Sequence, residues 1–125
     1  MSDSRKKILV AEDDDFLASA YSVKLVKENY EVRVVKDGEA TIQALTEFSP
    51  DLLLLDLVMP KKDGFAVLQE MQTSGLTTKI PVLVTSNLGQ AEDKTKALGL
   101  GARDYIVKSD SSLEDIMKKV AEMLK

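Results

Sequence analysis

Hydrophobic and polar positions along the chain follow two alternating rhythms. The short runs at 8–11, 52–55, 82–84 and 105–107 are apolar, and the run at 31–35 alternates polar with apolar residues. Between these runs, apolar residues recur every three or four positions. Continuous apolar runs of this length mark buried strands, strict alternation marks a half-exposed strand, and the wider spacing marks amphipathic helices. The pattern predicts strands over Lys7–Ala11, Glu31–Val35, Leu52–Leu55, 81–85 and Asp104–Val107. The second is the most polar and belongs at an edge, and the third at the centre.

The first helix carries Leu17, Tyr21 and Leu25 at helical spacing and stops at Asn29, a residue that tolerates the left-handed conformation. A second helix over 38–48 has Thr41, Leu45 and Phe48 in register and is broken by Ser49-Pro50-Asp51. A third covers 65–73, with Leu68 and Met71 inward and Gly75 beyond its end. The helix at 90–98 is the weakest: Ala91, Thr95 and Leu98 are its candidate inner residues, and Gly99 and Gly101 end it. The last, at 113–124, places Leu113, Ile116, Met117, Val120 and Leu124 on one face. Ser111 and Glu114 stand at capping-box spacing at its start.

Five strands alternating with five helices predict an α/β fold, a doubly wound open sheet of parallel strands. Ligands in such folds bind outside the carboxyl ends of the strands. That rule gathers the polar residues that close four of the runs. Strand one leads into Glu12-Asp13-Asp14, strand three into Asp56, strand four into Thr85-Ser86, and strand five into Lys108. A charged residue closing four leucines is costly unless the chain surfaces there or a partner meets the charge. Carboxylates, a hydroxyl and an ammonium along one sheet edge suit Mg²⁺-assisted phosphoryl transfer. The acidic run 12–15 taken alone is equally an N-terminal turn that favours the following helix dipole, a role expected of Asp14 and Asp15.

Composition narrows the chemistry. The chain has 125 residues, enough for one domain and one core. It contains no cysteine and no histidine. Thiolate catalysis, disulfides, imidazole-based triads and a phosphohistidine on this chain are excluded. Any metal site is all-oxygen, which suits Mg²⁺, Mn²⁺ or Ca²⁺, and a compact site with room for a phosphate oxygen favours Mg²⁺. The net charge of −4 and the absence of a basic stripe argue against direct nucleic-acid binding. Residues 1–7 read as a loose polar start. No signal peptide and no membrane-length apolar run is present, so a cytoplasmic protein without membrane insertion is expected.

Other phosphate chemistries fit poorly. There is no P-loop and no G-x-G-x-x-G after the first strand. Four acids would repel a flavin phosphate there. A dehalogenase-type phosphatase would want a second Asp two positions after the nucleophile, where this chain has Val58.

The stretches 8–14, 56–64, 81–86 and 101–108, above all D-x-x-M-P-x-x-D-G from Asp56 to Gly64, resemble a response-regulator receiver domain of two-component signalling. The resemblance covers nearly the whole chain. It implies a flavodoxin-like sheet in the order 2-1-3-4-5 and a single receiver over 1–125 with no output domain attached. It makes Asp56 the phosphorylated residue and assigns Mg²⁺ to Glu12, Asp13, Asp56 and the Val58 carbonyl, with Asp13 ahead of Glu12 as direct ligand. Thr85 becomes the switch hydroxyl, Lys108 the phosphate-pairing lysine and Tyr105 the switch aromatic. The phosphodonor would be a histidine kinase or histidine phosphotransfer protein, and a downstream protein would meet the face at 88–124. Such a chain is no enzyme beyond phosphorylating and dephosphorylating itself. Receivers usually carry Pro after this Lys; here Ser109 follows, so a trans bond is expected. The alternatives are a pseudo-receiver, the same fold binding without phosphorylation, and a metal-dependent phosphatase acting on small molecules.

Overall fold

The computed structural model describes residues 5–125, so the start of the polar segment, residues 1–4, lies outside the described residues. Strands β1 (Lys7–Ala11), β2 (Glu31–Val35), β3 (Leu52–Leu55), β4 (Val82–Ser86) and β5 (Asp104–Val107) alternate with helices α1 (Asp15–Lys27), α2 (Gly38–Glu47), α3 (Gly64–Thr73), α4 (Ala91–Gly99) and α5 (Leu113–Met123). The strands form one sheet in the order β2-β1-β3-β4-β5, every neighbouring pair parallel. This is the flavodoxin-like order expected.

Alternation along the strands divides the core into two layers. Leu9, Ala11, Leu53, Leu55, Val82 and Val84 pack with Ala44, Leu45, Phe48, Val67, Leu68, Met71 and Ala97. Ile8, Val10, Leu52, Leu54 and Leu83 pack on the other side with Tyr21, Leu25, Ile116, Met117 and Val120. Helices α2, α3 and α4 therefore cover one face, and α1 and α5 the other. All four residues of β3 are buried, as expected of a strand covered on both faces. The most polar strand, β2, lies at an edge.

Side-chain caps start four of the helices. Asp14, Asp37 and Asp63 accept the backbone N–H groups of Leu17, Ala40 and Ala66, satisfying amides that the helix itself leaves unpaired. Asn29 adopts the left-handed conformation after α1. Two sequence expectations need correction. The capping box of α5 is Ser112 with Asp115, not Ser111 with Glu114: Ser112 Oγ accepts from Asp115 N at 3.1 Å, and Asp115 Oδ2 accepts from Ser112 N at 2.9 Å. The 3-10 turn Lys108–Asp110 uses up Ser111 as its own end, so the cap falls one residue later than expected, while the helix starts at Leu113. In α4 the buried residue is Ala97, whereas Ala91 and Thr95 are exposed and Leu98 is 39% exposed. Gly99 falls within the helix rather than ending it; Leu100 caps it and Gly101 turns the chain at φ 108°. Helix α4 also has no side-chain N-cap bond. No peptide bond among the described residues is cis, so Lys108–Ser109 is trans.

Candidate functional site

The parallel register brings the strand ends together. Leu55 pairs with Ala11 on one side and with Val84 on the other. One step further, Glu12, Asp56 and Thr85 follow on three adjacent strands. Backbone bonds fix this edge: Glu12 N donates to Val35 O at 3.0 Å and Asp56 N to Ala11 O at 3.0 Å. Lys108 follows β5 directly.

Glu12 is 2% exposed and Asp56 6%, while Asp13 is open to solvent. One carboxylate oxygen from each lies within 4.8 Å of the other two. Hard cations hold their oxygens about 2.1 Å away for Mg²⁺ and about 2.5 Å for Ca²⁺, so ligand oxygens across one ion stand about 4–5 Å apart. The cluster has that scale and the all-oxygen donor set such ions take. The Lys108 ammonium donates to Glu12 Oε1 at 2.5 Å and lies 3.3 Å from Asp56 Oδ2. Three carboxylates and one ammonium leave a formal charge of −2, which a divalent cation would balance. Val58 stands in the loop after Asp56, and its N–H donates to Asp56 Oδ1 at 3.3 Å.

Burial pushes the Glu12 carboxyl up, and the nearby Asp56 charge adds to this; the bonds from Lys108 and the Asp14 amide oppose it. Burial pulls the Lys108 ammonium down, but the Glu12 bond and the Asp56 and Glu12 charges outweigh it and hold Lys108 above its ordinary value. Lys108 is therefore a fixed cation at neutral pH.

Thr85 is buried at the end of β4. Tyr105 is buried on β5, and its hydroxyl donates to the Leu88 carbonyl in the β4–α4 loop. The loop after Asp56 is anchored from two sides. Gly64 N donates to Leu57 O at 2.8 Å, and Lys62 packs directly against Gly38, where an added Cβ would stand 2.0 Å from the Lys62 carbonyl oxygen. An apolar cavity of about 440 Å³ lies elsewhere, between α2 and α3 around Ile42, Met71 and Leu76, and includes no part of the acidic cluster.

The residues named from sequence thus converge: Glu12, Asp13 and Asp56 in one cluster, Lys108 bonded into it, Thr85 beside Asp56 in the register, and Val58 and Tyr105 at its margins. Sequence reasoning missed the direct pairing of Lys108 with Glu12, and no local signal pointed to it, because the two residues lie 96 positions apart.

Comparison with known proteins agrees with this geometry. The response regulator receiver domain family matches residues 8–121. The DNA-binding dual master transcriptional regulator RpaA of Synechocystis sp. is 34% identical over 119 residues, covering 95% of this chain and 49% of that protein. A probable transcriptional regulator ycf27 of Cyanophora paradoxa is 36% identical over 114 residues, covering 91% of this chain and 46% of that protein. The chain thus spans about half the length of these curated relatives. Among solved structures, the receiver domain of the Francisella response regulator 1452 superimposes with a TM-score of 0.88 at 27% identity, covering 96% of this chain and 97% of the other. The BeF3-activated N-terminal receiver domain of Klebsiella pneumoniae RstA gives 0.88 at 25% identity, covering 96% and 99%. With the family match spanning β1 to α5 and the strand-end cluster in place, the chain belongs to the response-regulator receiver domains of two-component signalling.

Proposed function

We propose that this chain is a working phosphoacceptor: it takes a phosphoryl group onto Asp56 from a phosphohistidine on a partner protein and relays the change through a protein-binding face. The observation that carries this is the balance of the cluster. Glu12, Asp13 and Asp56 share one site with Lys108, and together they leave the −2 that a divalent ion offsets.

Asp56 Oδ attacks phosphorus, the P–N bond of the donor breaks with its electron pair returning to the imidazole, and an acyl phosphate remains on Asp56. The donor imidazole comes from a histidine kinase or phosphotransfer protein, since this chain has no histidine. Mg²⁺, when bound, offsets the charge that the carboxylate and the phosphoryl oxygens bring together. Glu12, Asp13, Asp56 and the Val58 carbonyl would hold it, Asp13 most directly because it is the solvent-facing member. Lys108 would pair with a phosphoryl oxygen as a fixed cation. Thr85 would donate its hydroxyl. Attack of water on phosphorus then releases inorganic phosphate and restores Asp56.

Output would pass through protein contact at the 88–124 face, with no direct nucleic-acid contact by these acidic residues. A cytoplasmic setting belongs to the same proposal; no described helix is long and apolar enough to cross a membrane.

The test is Mg²⁺-dependent phosphorylation by acetyl phosphate, read by intact mass, on the native chain and on Asp56→Asn. Labelling that requires Mg²⁺ and is lost in the variant is the expected result. Undiminished labelling of Asp56→Asn would move the acceptor elsewhere. No labelling of the native chain would favour the pseudo-receiver, the same fold without phosphorylation.

A further inference from the structure

We propose that the Lys96 ammonium over the ring of Phe65 is a brake on the switch: it holds α4 against α3 in the unphosphorylated chain and lets go when α4 moves. This rests on the phosphoacceptor function proposed above and adds a contact that opposes it.

Helix α3 is the fixed partner. Its residues Gly64, Val67, Leu68 and Met71 are buried, and Asp63 caps it. Its start is pressed against the phosphoacceptor: an added Cβ at Gly64 would stand 2.5 Å from the Asp56 carbonyl oxygen. Phe65 comes next and is half-buried against the same layer. Helix α4 is the loose partner, with Ala97 as its buried residue and no side-chain N-cap. Its carboxyl end is tied down: Gln72 Nε2 donates to Gly99 O at 3.2 Å, and Ala102 N donates to Ala97 O at 3.1 Å. Its amino end follows Leu88, the residue bonded to Ser86 and Tyr105. The helix is thus a lever, hinged near Gly99 and driven at Gln90.

Lys96 stands one turn before that hinge. Its Nζ lies 4.3 Å from the centroid of the Phe65 ring, inside the ~6 Å over which the negative ring face attracts a cation. Glu92 lies one turn earlier on the same helix, yet Lys96 takes part in none of the ion pairs among the described residues. The attraction depends on the ammonium staying over the ring, so a swing of α4 relative to α3 forfeits it. A contact made in one state and lost in the other biases the equilibrium toward the first by its own free energy.

The experiment titrates beryllofluoride, the phosphoryl mimic, in excess Mg²⁺ into the native chain, Lys96→Met, Phe65→Leu, their double variant, Lys96→Arg and Lys94→Met. Amide exchange over α4 is measured without the mimic. Lys96→Met should bind beryllofluoride about threefold tighter, and its α4 amides should exchange about threefold faster, the worth of one exposed cation–π contact. Phe65→Leu should do the same. The double variant should gain no more than either single change, because both remove one shared contact. Lys96→Arg keeps a cation over the ring and should match the native chain. Lys94→Met controls for charge: losing a positive charge alone weakens the binding of an anion, so its affinity should be native or lower. Unchanged or weaker binding by Lys96→Met, additive effects in the double variant, or equal tightening in Lys94→Met overturns the brake alone. If the native chain fails to bind beryllofluoride and fails to label with acetyl phosphate, the phosphoacceptor function falls and the brake falls with it.

Discussion

The Lys108 ammonium donates to the Glu12 carboxylate at 2.5 Å, joining the end of β5 to the end of β1 across two intervening strands. Glu12 is buried and the Lys108 side chain is 11% exposed. Breaking such a pair by removing one member leaves an uncompensated charge and typically costs about 3–5 kcal/mol. Lys108→Met is therefore expected to lower unfolding stability by about 3 kcal/mol at neutral pH, with a large part regained in the Glu12→Gln/Lys108→Met double variant. Mg²⁺ should stabilise Lys108→Met more than the native chain, because it replaces the missing positive charge. Urea titrations with and without Mg²⁺ measure this. Equal Mg²⁺ stabilisation of the two would mean that Lys108 and the metal do not share the cluster.

A second expectation concerns the loop that follows Asp56. Gly38 begins α2, and a methyl group there would overlap the Lys62 carbonyl at 2.0 Å, a backbone atom that cannot move alone. Gly38→Ala should push the 60–63 segment outward and cost about 1–3 kcal/mol, as overpacking does. The shift should reach Val58 and weaken Mg²⁺ binding, measured by titration calorimetry. A destabilised variant with native Mg²⁺ affinity would show that the loop yields without disturbing the cluster.

The two serines before α5 separate cleanly. Ser112→Ala removes the side-chain acceptor for Asp115 N and should cost about 1 kcal/mol. Ser111→Ala should be close to neutral, since Ser112 supplies the cap. Chemical denaturation of the two variants decides, and the reverse order would restore the cap to Ser111.

Sequence showed much of this fold for a physical reason: strands buried on both faces must be continuously apolar, so their ends are visible as the first polar residue. Asp56 after four leucines is the clearest case. The weaker features depended on how the chain turns in space. Ser111 and Ser112 both precede a plausible box, Glu114 or Asp115, and only the preceding 3-10 turn selects between them. In α4 the apolar residues are too few to define a face, and the small Ala97, not Leu98, fits against the sheet. The Lys108–Glu12 bond could not be read from residues 96 positions apart.

Acid should weaken the fold partly through Asp104. Burial disfavours its charge, but the Tyr105 N–H at 2.8 Å and the Lys119 ammonium at 3.0 Å outweigh this and hold its carboxyl below the usual range. A carboxyl depressed in the folded state stabilises the fold above its unfolded value, about pH 3.9, and that contribution is lost as pH falls through the folded value. Asp104→Asn should therefore be less stable than the native chain at pH 7, with the gap closing below about pH 4. Urea midpoints across pH 3–7 (roughly the carboxylate range) measure it. A gap that persists unchanged at low pH would mean that the carboxylate charge contributes nothing.

The last expectation follows the signal outward. Phosphorylation would add about −1.5 to −2 charge at Asp56, and Lys108, 3.3 Å from its carboxylate, and Thr85, beside it in the register, are the groups expected to answer it. Thr85 is continuous with Ser86, whose Oγ accepts from Leu88 N at 3.2 Å, and the Leu88 carbonyl accepts from the Tyr105 hydroxyl. A shift of Thr85 is therefore expected to reach the β4–α4 loop and β5. Helix α4 is the α-helix least able to resist: it has no side-chain cap and one buried residue, Ala97. Local stability follows buried apolar contact, so its amides should exchange fastest among the helices and respond most to a phosphoryl mimic. Amide exchange in Mg²⁺ with and without beryllofluoride should differ across residues 88–106. Tyr105→Phe, which removes the Leu88 bond, should raise exchange in this loop without the mimic and blunt the response to it. If the changes stay within the loops around Asp56 in the native chain, the Thr85–Leu88–Tyr105 route is wrong and the partner surface lies on another face.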